Sequence, residues 1–349
     1  MGIGVRRFLV IVGLMLFLFC GAWILWHKDQ IRGPGDLFRL MGHQISRLGG
    51  GAVSQYAPYR GHATNVIRIG SFNAHRFNEA KMKDERVAAV MANIISQFDV
   101  LAIQEIDNSS PFAMKRFLRR LNSTGRQFQI VTGSNQPGIG PDQQSAILYD
   151  ASTIELEDQQ FYHVNDPDEV MVRDPLVAWF RTRNSGDQAF TFTLVNVHLE
   201  PQSPANEVLR ISEIFRAVRN DGRNEDDVIL AGDFGVSAMQ LNQMAIAQGL
   251  QAVNVDLPTN TNGSEQFDNF MLDPLATSEF TGETGIYDFL KIYNLTLQQA
   301  LTISDHVPVW AEFEVTENGT IGQFATRDQV PNKVANQVPG ENQAGNLAR

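Results

Sequence analysis

One pattern recurs along this chain: a short apolar run, rich in β-branched residues, is bounded by a polar side chain that can bind a metal ion or transfer a proton. The residues at these boundaries are Asn73, Glu105, His198, Asp233 and the pair Asp305 and His306. Short apolar runs of this kind are typical of central strands. A turn at a strand end would explain any one of these residues. Burying all of them is costly unless a cation or hydrogen bonds compensate, so together they indicate a site at one rim of a sheet.

Composition limits the classes of protein that fit. The chain has 349 residues, of which 43% are hydrophobic and 19% charged, and no linker-like stretch divides its middle. This favours one large α/β domain. The net charge of −11 argues against tight non-specific binding to DNA, but a bound cation could still supply positive potential for a phosphate ester. Cys20 is the only cysteine, so an intrachain disulfide is excluded.

The N-terminal region contains the most hydrophobic stretch of the chain. Residues 8–26 carry no charge, and at about 1.5 Å per residue a helix of this length just spans a bilayer core of about 30 Å. Arg6 and Arg7 precede the stretch, which places the N-terminus in the cytoplasm and the remainder outside it. The alternative is a cleaved signal peptide and a secreted protein. Its apolar region is usually shorter, and small residues should mark its cleavage site.

The sequence therefore predicts four regions. Residues 1–27 are a cytoplasmic tip and a single transmembrane helix, and residues 28–64 are a juxtamembrane spacer. Residues 65–316 are the globular domain. Residues 317–349 are rich in Asn, Gln and Gly, and we expect this polar tail to be disordered because it cannot bury enough apolar surface.

Within the domain, hydrophobic periodicity predicts alternating strands and helices. Asp84 is expected to cap a helix with one apolar face, and further helices are expected near residues 111–121, 205–219 and 239–248. Strands are expected near residues 67–73, 100–105, 128–131, 146–149, 176–181, 190–198, 228–233, 267–272, 287–292 and 308–315. Strand hairpins mixed with helices favour a two-sheet α/β sandwich with its helices outside.

Five segments in this order resemble the signature of the endonuclease/exonuclease/phosphatase superfamily. They are Ser71-Phe72-Asn73, Ala102-Ile103-Gln104-Glu105, Asn196-Val197-His198, Ala231-Gly232-Asp233-Phe234 and Ser304-Asp305-His306-Val307-Pro308-Val309. Within the superfamily, the closest resemblance is to deoxyribonucleases of the pancreatic type. The segments specific to that branch are Lys81-Met82, Arg173-Asp174-Pro175 and Ala300-Leu301-Thr302-Ile303. The similarity covers residues 66–315 and implies a deoxyribonuclease-like four-layer fold that hydrolyses a phosphodiester.

The resemblance also implies a metal site. Glu105 would be the principal ligand of Mg²⁺, with Mn²⁺ or Ca²⁺ as alternatives, and Asn73 and Asp305 would complete or orient its ligand shell. Hard divalent cations prefer such oxygen ligands together with water.

A histidine pair follows from the same resemblance. His198 and His306 would divide the proton transfers, one activating water and the other protonating the leaving oxygen, for which a pKa near neutrality is suited. Asp268 would orient His306, with Asp288 as the second candidate. His75 has no matching motif and is expected to lie at the surface.

Two further residues would contact the substrate. Asp233 would bind a second metal or the scissile phosphate, and Arg173 would hold a phosphate oxygen. A structural ion pair between Arg173 and a nearby acid is the competing interpretation. Hydrolysis would depend mainly on stabilising the developing charge and on placing water in line.

Three positions depart from the family pattern. Gly235 stands where the family usually has Asn in Gly-Asp-x-Asn, an amide that helps to position the phosphate. Gln143 stands where the deoxyribonuclease branch has a Glu that pairs with its first histidine. Asp107 replaces an Arg that enters the DNA minor groove, and loop 138–142 lacks a DNA-contacting Tyr, so the duplex-binding surface is missing.

Two classes of function remain from the sequence. The first is a membrane-anchored, divalent-metal-dependent phosphodiesterase. Its substrate would be nucleic acid, bound without a basic surface, or alternatively a phospholipid or sphingolipid headgroup held near the anchor. The second is a catalytically weak binding module of the same fold, which Gly235 and Gln143 favour. The sequence identifies no protein partner.

Overall fold

The computed structural model describes residues 65–107, 111–123, 125–133, 144–166, 168–183, 188–200, 204–245, 249–254 and 257–319. The predicted anchor, the spacer, loop 138–142, Gln143 and the predicted tail from residue 320 lie outside these described residues. Within the described ranges, no helix combines the length and the apolar character that crossing a membrane requires.

The strands form two six-stranded sheets. In chain order they are β1 (Val66–Phe77), β2 (Val100–Ile106), β3 (Phe128–Thr132), β4 (Gln144–Asp150), β5 (Ile154–His163), β6 (Leu176–Thr182), β7 (Thr191–His198), β8 (Val228–Asp233), β9 (Gln251–Ala252), β10 (Asp268–Leu272), β11 (Phe280–Ile286) and β12 (Val309–Glu314). The first sheet has the order β11-β12-β1-β2-β4-β3, and the second has the order β5-β6-β7-β8-β10-β9. Each sheet has one parallel pair at its centre, β1 with β2 and β7 with β8, so both sheets are mixed.

Helices flank the sheets. They are α1 (Glu79–Lys83), α2 (Glu85–Ile95), α3 (Pro111–Asn122), α4 (Pro204–Arg219), α5 (Ala238–Ala245), α6 (Phe289–Ile292) and α7 (Leu297–Leu301). Asp84 caps α2 as predicted, because its carboxylate accepts the main-chain N–H groups of Arg86 and Val87 at 2.9 and 3.2 Å. This cap satisfies two of the donors that a helix N-terminus leaves without partners.

Alternation along the central strands of the second sheet shows where the layers meet. Leu194 on β7 belongs to the core between the sheets, whereas its neighbours Val195 and Val197 pack with Val208 and Phe215 of α4. Successive side chains of a strand point to opposite faces, so one face of this sheet meets the first sheet and the other meets helices. The predicted two-sheet α/β sandwich with flanking helices is confirmed.

One buried amide joins the two sheets close to their rim. The side-chain nitrogen of Asn196 donates to the main-chain oxygens of Ile103 and Ala146 at 3.1 and 2.8 Å. Its oxygen accepts from Gln104 Nε2 at 2.7 Å. Asn196 lies two residues before His198, and Gln104 lies directly before Glu105. The bridge therefore fixes the end of β7 against the end of β2.

Gly232 permits the parallel pairing of β7 and β8. A Cβ atom at this position would lie 1.8 Å from the main-chain oxygen of Val197. Real Cβ atoms do not approach a backbone oxygen so closely, and strand backbone cannot move away as a flexible side chain can. The glycine next to Asp233 is therefore required by close approach of the strands.

Two edge strands differ from the sequence prediction. The strand predicted at residues 287–292 is wrong, because β11 precedes it and Phe289–Ile292 form the short helix α6. β11 reads Phe-Thr-Gly-Glu-Thr-Gly-Ile, which lacks the apolar alternation that marks a strand. β5 was not predicted, because it is also an edge strand with a largely polar sequence.

The domain continues past its predicted end. Glu317 is 9% exposed, and its main-chain N–H donates to the oxygen of Gln188 at 2.9 Å. Residues 317–319, which were predicted to begin the tail, therefore contact the loop that precedes β7 in the second sheet.

Candidate active site

Strand register places three of the predicted site residues in one row. His198 on β7 pairs with Asp233 on β8, and Asp233 pairs with Asp268 on β10. Paired residues of neighbouring strands present their side chains on the same face of a sheet. His198, Asp233 and Asp268 are exposed by 2%, 4% and 0%. The row therefore forms a buried wall at one rim of the second sheet.

The first sheet brings Asn73 and Glu105 to the same rim. Asn73 pairs with Gln104 at the last regular register position of β1 and β2, after which the pairing is irregular. Glu105 lies in this irregularity with a φ of 57°, and His75 and Arg76 have φ values of 44° and 62°. Left-handed backbone is uncommon for residues other than glycine and clusters at functional sites. The left-handed backbone at Glu105 turns its carboxylate toward the second sheet.

A continuous series of contacts joins the rim of the first sheet to the rim of the second. The side-chain nitrogen of Asn73 donates to Glu105 Oε1 and to Asp233 Oδ2, both at 3.1 Å. Asp233 Oδ2 lies 3.7 Å from His306 Nε2. On the other side, Glu105 Oε1 lies 3.9 Å from His198 Nε2. We call this series, from His198 through Glu105, Asn73 and Asp233 to His306, the rim chain.

The amide of Asn73 has a clear orientation in this series. Its nitrogen faces the two carboxylates, and its oxygen accepts the main-chain N–H of His75 at 3.0 Å. Asn73 therefore orients Glu105, which is one of the two roles that the resemblance implies for it.

His306 is fixed by two carboxylates. Its Nδ1 lies 2.8 Å from Asp268 Oδ2, and its Nε2 lies 3.9 Å from Asp305 Oδ1. Burial lowers the pKa of His306, but the facing carboxylate of Asp268, with Asp233 and Asp305 nearby, outweighs burial and raises that pKa to about 10. Asp268 therefore holds the ring of His306 and favours its charged form.

His198 has the opposite environment. Neither ring nitrogen has a hydrogen-bond partner among the described residues. Burial, together with the charges of Arg173 and His306, lowers the pKa of His198 to about 3, and Asp233 only partly opposes them. The two imidazoles therefore differ in protonation, an arrangement found where one group gives and another takes a proton.

Asp288, the second candidate for orienting His306, has a structural role. It caps α6 by accepting the main-chain N–H of Lys291 at 3.0 Å, and it pairs with the Lys291 ammonium at 2.8 Å.

Arg173 is buried and lies 3.3 Å from Glu200 Oε2, two residues beyond His198. Arg173 thus pairs with Glu200. The positive charge of Arg173 lowers the pKa of His198.

Asn269 does not take the place of the family's Asn at Gly235. Asn269 is fully buried, and both ends of its side-chain amide bond the main chain of Asn254. Gly235 has a φ of 61° and donates its N–H to Asp233 Oδ1 at 2.9 Å.

Three rim residues were missed as site residues. His75 is exposed as expected, yet its Nδ1 lies 3.0 Å from Asp305 Oδ1. The main-chain N–H of Arg76 donates to Glu105 Oε2 at 3.1 Å. Lys81 donates to the main-chain oxygens of Ala74 and Ile303, both at 2.8 Å, and burial lowers its pKa to about 8. The positive φ values that create these contacts leave no signal in the sequence, although Lys81 belongs to a family segment.

The donor set of the rim fits a hard divalent cation. Ligand atoms of Asp233, Asp268 and His306 lie within 4.8 Å of one another, and Asp268 Oδ1 is buried without a hydrogen-bond partner. Glu105 and Asp305 add two more carboxylates to the same rim. Asp and Glu oxygens are the ligands that Mg²⁺, Mn²⁺ and Ca²⁺ prefer. The rim carboxylates that could hold a cation are therefore Glu105, Asp233, Asp268 and Asp305, of which Asp268 already bonds His306 through its other oxygen.

Comparison with known proteins identifies the family of this chain. Residues 70–281 match the Endonuclease/Exonuclease/phosphatase family. Deoxyribonuclease-1-like 1 of Mus musculus is 26% identical over 259 residues, a match that covers 71% of this chain and 81% of the relative. Deoxyribonuclease gamma of Homo sapiens is 24% identical over 265 residues, with 71% and 86% coverage.

A solved structure shows the same fold. The human Nocturnin catalytic domain superposes with a TM-score of 0.51 at 14% identity, covering 72% of this chain and 94% of that domain. The family match spans more than half of the sequence and includes four of the five segments that build the rim. This protein therefore belongs to the endonuclease/exonuclease/phosphatase family.

Proposed function

We propose that this protein is a divalent-metal-dependent phosphodiesterase that hydrolyses nucleic acid. The observation that carries the proposal is the rim chain, which joins Glu105 to both histidines through contacts of 3.9 Å or less. The deoxyribonuclease relatives favour nucleic acid as the substrate class. The apolar residues 8–26 after Arg6 and Arg7 support attachment to a membrane with the domain outside the cytoplasm.

The residues of the rim divide the work. Glu105, Asp233 and Asp305 would hold a divalent cation, which would supply positive charge for the phosphate oxygens. Asn73 holds the carboxylates of Glu105 and Asp233 in place. His198 and His306 approach from opposite ends, so that one accepts a proton from water while the other returns a proton to the leaving oxygen. Asp268 fixes which nitrogen of His306 faces the phosphate.

We expect the purified full-length protein to cleave plasmid DNA and bis-p-nitrophenyl phosphate in Mg²⁺. EDTA and the variant Glu105→Gln are each expected to abolish cleavage. EDTA removes the cation, and the substitution removes a carboxylate that would bind it. Glu213→Gln is the matched control, since it neutralises an exposed glutamate on α4. Product formation is measured by gel electrophoresis and by absorbance of nitrophenolate.

Other outcomes of this assay decide between the alternatives. Cleavage of sphingomyelin or phosphatidylcholine vesicles without cleavage of DNA would identify a lipid phosphodiesterase. A folded protein that hydrolyses none of these substrates would contradict catalysis and favour the binding module.

Gly235 offers a test of whether activity is limited by the missing amide. We expect Gly235→Asn to raise kcat/KM about tenfold, which is the effect of one hydrogen bond to a charged group worth about 1.5 kcal/mol. The backbone tolerates the change, because Asn is the residue most at ease after glycine at a φ near 61°. Gly235→Ala carries the same backbone cost without the amide and should give no gain. A stable Gly235→Asn protein with unchanged kcat/KM would show that the rim does not use an amide here.

A further inference from the structure

A second group of carboxylates lies at the opposite end of the sandwich. Asp227 directly precedes β8, and Asp233 ends the same strand. Six residues of strand at about 3.3 Å each separate the two by about 20 Å. Glu279 directly precedes β11, and Glu317 follows β12. The group therefore draws on the end of each sheet that is remote from the rim chain.

The three carboxylates converge on one point. One oxygen from each of Asp227, Glu279 and Glu317 lies within 4.8 Å of the others. Asp227 and Glu279 are fully buried, and Glu317 is 9% exposed. Acidic groups on a protein surface often approach one another without consequence, but these are buried.

Main-chain donors hold two of the side chains. Glu317 accepts the N–H groups of Thr191 and Gly319 at 3.3 and 2.9 Å. Glu279 Oε1 accepts the hydroxyl of Ser278 at 3.0 Å and the N–H of Asn318. Glu279 is thus held at one oxygen and Glu317 at both, so the positions of these two carboxylates are set by the main chain.

The remaining oxygens have no partner. Both oxygens of Asp227 and Oε2 of Glu279 are buried without a hydrogen bond. Among the described residues, no basic side chain forms an ion pair with Asp227, Glu279 or Glu317. Arg219 pairs with Asp273, at 3.4 Å. Ionised carboxylates buried without compensation are strongly unfavourable.

The same conclusion follows from electrostatics. Burial raises the pKa of Asp227 well above its ordinary value, and the charges of Glu279 and Glu317 raise it further. Burial and Glu279 together raise the pKa of Glu317 to about 8. The group therefore repels additional negative charge and would be stabilised by a cation.

We propose that Asp227, Glu279 and Glu317 form a second divalent-cation site, structural rather than catalytic, whose ligand is Ca²⁺. Ca²⁺ accepts six to eight oxygens in flexible geometry, whereas Mg²⁺ requires a near-ideal octahedron and retains several waters, for which a buried site has little room. A Cβ at Gly319 would lie 3.1 Å from Glu317 Oε1, so the glycine leaves open the space beside this oxygen.

Such a site would clamp the two sheets. Asp227 introduces a strand of the second sheet, whereas Glu279 and Glu317 flank strands of the first. A cation shared by the three would join the sheets at the end where the Asn196 bridge is absent, and it would fix residues 317–319 to the domain.

The test uses thermal unfolding of the full-length protein after EDTA treatment and dialysis. Saturating CaCl₂ is expected to raise Tm by about 5 °C in the wild type. The shift should persist in Glu105→Gln, which disables the rim site, and in Glu314→Gln, which neutralises an exposed glutamate three residues before Glu317. In the Glu105→Gln background, which has no rim site, the shift should be lost when Asp227→Asn or Glu317→Gln is added. Isothermal titration with Ca²⁺ should show one site fewer in each of the last two variants.

Several results would overturn the proposal. One is a wild-type Tm that Ca²⁺ does not change, and another is a shift that survives both Asp227→Asn and Glu317→Gln in the Glu105→Gln background. An equal shift with MgCl₂ would overturn the assignment of Ca²⁺. Should Asp227→Asn fail to fold, the more peripheral Glu317→Gln still decides, because titration measures its site count in the folded state. None of these readouts requires phosphodiesterase activity.

Discussion

Replacing His306 with alanine is expected to lower kcat for bis-p-nitrophenyl phosphate by about 100- to 10,000-fold, the range that a positioned acid or base contributes. The imidazole is held at Nδ1 by Asp268 and faces Asp233 with Nε2, so its removal takes away the group that is positioned for proton transfer. The rate is measured in saturating Mg²⁺ on protein whose Tm has been checked. A His306→Ala protein with the kcat of the wild type would contradict the proposed mechanism.

Two variants make this result specific. His163→Ala removes a histidine that contacts the main chain of Asp174 and takes no part in the rim chain, so its kcat should stay near that of the wild type. Asp268→Asn keeps the imidazole but removes the charge that raises the pKa of His306. The pKa of His306 should then fall, and the limb of the pH–rate profile that reports this histidine should move to lower pH. A purely structural role of Asp268 would leave that limb in place.

The variant Gly232→Ala is expected to destabilise the fold by about 3 kcal/mol or more, at the upper end of the cost of overpacking. The added Cβ would lie 1.8 Å from the oxygen of Val197, which belongs to the backbone of the paired strand. Relief would require β7 and β8 to separate, and the row of His198 and Asp233 would separate with them. Urea unfolding gives the free energy of unfolding.

Gly222→Ala is the matched control. Gly222 has a φ of 96°, and no atom lies within 4 Å of a Cβ placed there. Its cost should be limited to about 1–2 kcal/mol for left-handed backbone. Equal destabilisation by the two substitutions would show that the contact with Val197 does not decide the effect at Gly232.

The central strands could be predicted from the sequence because burial on both faces leaves long apolar runs. The runs that end at His198 and Asp233 correspond to β7 and β8, and register then brings their last residues side by side. The cap at Asp84 was equally legible, since an acidic residue before an amphipathic stretch marks a helix start. The edge strands β5 and β11 could not be predicted, because their polar and glycine-containing sequences lack the apolar pattern of a buried strand.

Within the site, residue identities were predictable but their partners were not. Asp268 and Asp288 both follow an aromatic residue, and only the pairing of β10 with β8 places Asp268 at His306. The contact of His75 with Asp305 depends on left-handed backbone at His75, which sequence patterns do not encode. The carboxylates at Asp227, Glu279 and Glu317 are separated by up to 90 positions and become a group only when both sheets are in place.

The amide of Asn196 couples packing of the two sheets to assembly of the candidate site. Since Glu105 and His198 come from different halves of the sandwich, neither half alone carries a working constellation. Sliding of one half over the other would break the hydrogen bonds of Asn196 to Ile103 and Ala146 and would move the imidazole of His198 away from the carboxylate of Glu105. The site therefore forms only when both sheets are packed in this register, and the amide of Asn196 is one of the contacts that hold them there.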